Sequence, residues 1–139
     1  MLRVGFVPLD DRPCTKDFPV RIGRIVGAEV HQPPTDSLGT FLTPGSFSEI
    51  RDWLLDTAGQ IDYLIVSLDM LAYGGLIASR LPRVTQEEAI KRISILKEVK
   101  ERYPKLPIFA WNVIMRTSIT VYDDLTARYW EEMNRYSVL

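Results

Sequence analysis

Two stretches of the 139-residue chain gather side chains able to do chemistry: Pro8-Leu9-Asp10-Asp11-Arg12-Pro13, and Ser67-Leu68-Asp69-Met70-Leu71-Ala72-Tyr73-Gly74-Gly75-Leu76-Ile77-Ala78-Ser79-Arg80. Carboxyl groups such as Asp10, Asp11 and Asp69 can give or take a proton, and two held near one another can divide acid and base roles. Crowding them raises one carboxyl pKa unless a cation compensates, and Arg12 and Arg80 are the cations closest in sequence. Tyr73-Gly74-Gly75 adds paired glycines, which tolerate positive φ and let backbone N–H groups approach an anion or a sugar hydroxyl. A third stretch runs Trp111-Asn112 and then Arg116. There Asn112 can orient a ligand hydroxyl and Arg116 can hold an anion, whereas Trp111 is expected to pack in the core.

Each of these features also has an ordinary structural explanation. Asp-Asp-Arg-Pro after a strand can be a turn, with an aspartate capping backbone N–H groups and Arg12 pairing with a carboxylate. Gly-Gly marks simple turns as well as binding loops. The Gly-x-Gly-x-x-Gly spacing is absent and no Walker-type Lys-Ser/Thr follows the glycines, so neither an NAD nor an ATP motif is present. Cys14, between Arg12 and Lys16, has cationic neighbours that lower a thiol pKa, but its only prospective base is His31, the sole histidine. A lone cysteine reads first as a small hydrophobe. One Cys and one His do not make a zinc site, so a divalent cation on Asp10, Asp11 and Asp69 is the metal arrangement the composition allows.

The elements that would position these groups alternate between strand and helix. Residues 3–9, 62–68 and 107–114 read as strands, with 28–32 a weaker one closed by Pro33-Pro34. In the third, Tyr63-Leu64-Ile65-Val66 is continuously apolar, as when both faces are buried. Between them lie helix signals. Asp17 is read as an N-cap with Pro19 in the first turn and Gly27 as the stop. Ser46-Phe47-Ser48-Glu49 and Thr85-Gln86-Glu87-Glu88 have capping-box spacing, and Pro104 closes the second of these helices. Asp123 or Asp124 is expected to cap a last helix. Residues 35–45, rich in Thr, Ser, Gly and Pro, form the longest irregular stretch and are read as a mobile lid.

Every strand-to-strand connection has room for a helix, which implies a parallel sheet with right-handed crossovers. The expected fold class is a three-layer α/β/α arrangement of about four mainly parallel strands in Rossmann-like or flavodoxin-like order, 2-1-3-4. In that order the first and third strands are neighbours, and the reversal between them is where such sheets bind ligands. The alternative is the N-terminal half of a (β/α) barrel, in which the second strand would separate the first from the third.

Composition narrows the function classes. Lys plus Arg (17) nearly cancels Asp plus Glu (18), which selects neither nucleic acid nor an anionic membrane. The most apolar stretch, residues 63–78, is broken by Asp69 and two glycines and makes a poor membrane span. No signal peptide is read, and the single cysteine fits a reducing compartment, so a cytoplasmic location is expected. One domain over residues 1–139 is expected, with a small-molecule ligand as its partner.

Leu9-Asp10-Asp11-Arg12-Pro13, Ser67-Leu68-Asp69-Met70-Leu71, Tyr73-Gly74-Gly75-Leu76, Ser79-Arg80, Met115-Arg116 and Tyr136-Ser137 together resemble a bacterial family known as "domain of unknown function 4127". The likeness spans essentially the whole chain. It implies the N-terminal portion of a longer protein, whose later segments could contribute to the site, and it carries no established activity or cofactor. Cys14 is outside the pattern. On the residues alone, three functions stay open. One is a hydrolase acting on a polar, hydroxyl-rich, sugar-like molecule, with Asp69 and one of Asp10 or Asp11 as acid and base and with Arg12, Arg80 and Arg116 fixing an anionic group. The others are a non-catalytic ligand-binding domain and a purely structural unit, and contacts with later segments or a second copy are the expected protein partners.

Overall fold

The computed structural model describes residues 1–114, 121 and 123–138. Four strands, β1 (Leu2–Val7), β2 (Ala28–His31), β3 (Tyr63–Ser67) and β4 (Ile108–Trp111), form one all-parallel sheet in the order β2-β1-β3-β4. Val4 lies opposite both Val30 and Tyr63, and Leu64 opposite Ile108. Because β1 hydrogen-bonds directly to β3 and β2 is displaced to its outer side, the sheet is the open, doubly wound kind rather than a barrel half.

The helices are α1 (Pro13–Ile25), α2 (Phe47–Thr57), α3 (Leu68–Tyr73), α4 (Gln86–Ile93), α5 (Ile95–Arg102) and α6 (Asp124–Ser137). Three caps follow the sequence signals. The Ser46 and Thr85 hydroxyls accept from the N–H groups of Glu49 and Glu88, and Asp123 forms a capping box with Thr126. Each such cap is worth about 1 kcal/mol.

Three elements differ from the sequence reading. The first helix begins at Pro13, four residues before Asp17, because proline at the first helical position fits the helix without losing a needed N–H. The stretch between Thr85 and Pro104 is two helices, broken at Ser94, whose hydroxyl donates back to the Lys91 carbonyl at 2.6 Å. The third difference is α3, a short helix where an extended strand end was expected.

The main core lies on one face of the sheet. Val7, Leu64 and Val66 meet Ile50 and Leu54 of α2, Met70 and Leu71 of α3, and Ile95 and Val99 of α5. The opposite face is met by α1: a Cβ built on Gly23 of that helix would collide with Val30 of β2. β4 is an edge strand, and Trp111 is not core but 36% exposed there, with Phe109 more exposed still and stacked on Tyr63 at 6.3 Å. No helix among the described residues is long and apolar enough to cross a membrane.

Candidate functional site at the carboxyl rim

Beyond β1 the buried Pro8 and Leu9 lead to Asp10, whose side chain is 14% exposed. Its carboxylate accepts from the Arg12 backbone N–H at 3.2 Å and from Arg12 Nε at 2.9 Å, and Arg12 Nη2 lies 2.8 Å away. The Thr15 hydroxyl, on the first turn of α1, donates to the same carboxylate. Burial opposes ionisation of Asp10, but the bonds from Arg12 and Thr15 outweigh it and hold the carboxyl below its ordinary pKa. Arg12 is thus engaged by Asp10 rather than open to an anion.

Beyond β3 the chain turns straight into α3, capped by the Ser67 hydroxyl, which accepts from the Met70 N–H at 3.4 Å. Asp69 therefore stands in the first turn of a helix and is only 7% exposed. Its Oδ2 accepts from the Val113 N–H at 2.9 Å, just past β4. Burial pushes the Asp69 carboxyl above its ordinary pKa, and the backbone N–H groups of Val113 and of Asp69 itself offset this only in part. Among the described residues no ion pair is made by Asp69. Two carboxyl groups at the ends of adjacent strands are thus driven in opposite directions.

They do not share one chamber. Asp10, Asp11 and Arg12 line a cavity of about 250 Å³ with Thr40, Phe41, Thr43, Gly74 and Gly75. Asp69 lines another of about 430 Å³ with Tyr73, Ser79, Asn112 and Val113. Tyr73 and Gly74 are consecutive, as are Ala78 and Ser79, so one stretch of backbone is the common wall of both cavities. Gly75 marks where the two approach. Its N–H donates to the Asp69 carbonyl at 3.3 Å, and a Cβ built on it would lie 3.8 Å from Asp10 Cβ.

Both glycines adopt positive φ, +86° at Gly74 and +128° at Gly75, as their pairing suggested. Their N–H groups, however, bond to the Met70 and Asp69 carbonyls and close α3, so neither is free to cradle an anion. Gly74 also anchors the loop that precedes α2: the Gly45 N–H donates to the Gly74 carbonyl at 2.9 Å. A bond from the Ser46 N–H to the Ser37 carbonyl at 2.8 Å, with Leu38 buried, ties down the rest of that loop. The expected lid is accordingly a tethered strap whose free part is the tip at residues 40–43.

Thr40 and Thr43 pair across that tip with two backbone hydrogen bonds, 3.0 and 2.6 Å. The turn forces Phe41 to φ +36°, the only positive φ of a non-glycine among the described residues. For a bulky residue this costs on the order of 1–3 kcal/mol. Sequence reasoning passed over Phe41, since an aromatic in a polar loop carries no sign of whether it is buried.

The remaining sequence candidates disperse. Arg80 ends a 3₁₀ turn next to Ser79, with a buried Nε that has no hydrogen-bond partner among the described residues. Arg116 and Met115 lie outside the described residues. Cys14 is exposed in the first turn of α1, and His31 Nε2 lies 3.6 Å from Glu29. Among the described residues no three His, Cys, Asp or Glu side chains converge as metal ligands, so Asp10, Asp11 and Asp69 do not assemble a cation site.

No curated protein and no solved structure matches the chain. One family does: its sequence profile, described as "Protein of unknown function (DUF4127)", aligns with residues 4–138. With nearly its whole length matched, the chain belongs to the DUF4127 family.

Proposed function

We propose that the rim beside Asp69 is the proton-donating half of a hydrolytic site for a polar, hydroxyl-rich small molecule, with Asp69 as general acid. The observation that carries this reading is the setting of Asp69: buried, held by the Val113 N–H just past β4, and lining a cavity with Tyr73, Ser79 and Asn112. A carboxyl with a raised pKa keeps its proton nearer neutrality and can deliver it to a leaving oxygen. The hydroxyls of Tyr73 and Ser79 and the amide of Asn112 are the groups that would orient a polyol there. Arg80, next in the chain to Ser79 and with Nε unpaired among the described residues, is the cation nearest in sequence for a charged substituent.

The test is turnover of chromogenic glycosides and esters by the wild type and by Asp69→Asn, which keeps shape and removes the proton. Loss of at least about 100-fold in kcat, with a melting temperature no lower than wild type, supports the proposal. Equal rates in both proteins refute it. A non-catalytic binding domain is the second reading, favoured by one observation: Asp10 is consumed by Arg12 and Thr15 and so serves local structure more readily than a base role.

A further inference from the structure

We infer that the cavity beside the strap tip is a subsite for one neutral, hydroxylated ring, with Phe41 as the platform on which a face of that ring lies. This deepens the proposed function and rests on it for the idea that a small molecule enters the rim at all. Phe41 is 69% exposed, yet it is held in a left-handed conformation by the paired Thr40 and Thr43. The fold gains little burial from the ring and still maintains a strained backbone beneath it. Strain without packing in return is the pattern of a residue kept for a ligand.

The surroundings specify the ligand. An aromatic face favours a ring with an apolar side, such as the C–H face of a sugar or cyclitol. Thr40, Thr43 and Asp11 line the same cavity, and their side chains carry donors and acceptors suited to ring hydroxyls. Two carboxylates, Asp10 and Asp11, stand there against the single guanidinium of Arg12, which Asp10 already engages. The local charge is therefore negative and repels phosphates and carboxylates. At about 250 Å³ the cavity is smaller than those that take drug-sized ligands, and it fits one ring.

Saturation-transfer NMR on the chain tests this with neutral probes (methyl β-glucoside, methyl β-galactoside, myo-inositol) and anionic ones (glucuronate, glucose 6-phosphate). At least one neutral probe is expected to bind, with anionic probes weaker. Phe41→Ala should weaken the neutral probe about tenfold and Phe41→Tyr retain it, with both melting curves near wild type because the ring is exposed. Absence of transfer to every neutral probe, preference for the anionic ones, or equal binding by Phe41→Ala overturns the subsite. Asp69→Asn separates the two ideas: Asp69 lines the other cavity, so ring binding should stay within about twofold. Ring binding without any turnover would then remove the hydrolase and leave the subsite standing.

Discussion

Asp69 and Asp10 show how two like side chains acquire unlike properties from their immediate neighbours. Asp10 gains a guanidinium and a hydroxyl, while Asp69 gains only backbone N–H groups, chiefly that of Val113, and loses water. The signs for stability are opposite. A carboxyl whose folded pKa is raised favours the native state at low pH and loses that contribution as pH climbs through the folded value. Asp69→Asn should therefore melt at or above the wild-type temperature at pH 7, and the gap should close as pH falls toward the ordinary aspartate range. For Asp10 the folded pKa is lowered, so its stabilisation is present above the ordinary value and lost as pH falls through the lowered one. Asp10→Ala should melt below wild type at pH 7 and converge with it in acid. Thermal scans across pH 2.5–8 would check both (about 5 pH points suffice). The three aspartates were legible in the sequence because acids interrupting apolar runs demand a reason. Of their partners, Arg12 was legible as the cation of the Asp-Asp-Arg-Pro turn. The others were not: Val113 acts through its backbone, and Thr15 through a helix start that the sequence placed too late.

Among the elements, α3 decides where the site groups point, and it was the one helix unread. Its signals exist in retrospect, with Ser67 at the N-cap and Gly74 in the left-handed position after Tyr73. They were masked because only Ser67 separates Tyr63-Leu64-Ile65-Val66 from Leu68, and the stretch looked like one strand. Only six residues long, α3 depends on tertiary contacts for its stability. Gly74 is the pivot: a Cβ there would lie 2.6 Å from the Gly45 nitrogen and 2.8 Å from Pro44 Cβ, on a backbone already at φ +86°. Gly74→Ala should cost roughly 2–4 kcal/mol and free the strap. Gly27→Ala is the internal control, with a similar φ of +76° and nothing within 4 Å of the added carbon. It should cost only about 1 kcal/mol, so the difference in denaturant midpoints between the two variants isolates the collision.

For the molecule as a whole, the strand order was readable because alternating strands and helix-length connections leave few topologies. It is this order that brings the ends of β1 and β3 side by side. What pattern reasoning could not supply was the division of the rim into two cavities, since that depends on the path of residues 73–79 between the strand ends. The rim in turn rests on the single large core beneath it, where Leu71 of α3 is fully buried among α2, β3 and α5 residues. Leu71→Ala should destabilise the fold by about 2–5 kcal/mol, lower the denaturant midpoint, and loosen Asp69 with it. The claim on which the functional account turns is that this rim holds one aspartate ready to keep its proton beside one that gives it up. Carbon-13 NMR titration of the side-chain carboxyls measures this directly: the account predicts a midpoint for Asp69 above the ordinary aspartate value and one for Asp10 below it. An Asp69 midpoint at or below that of Asp10 would contradict it.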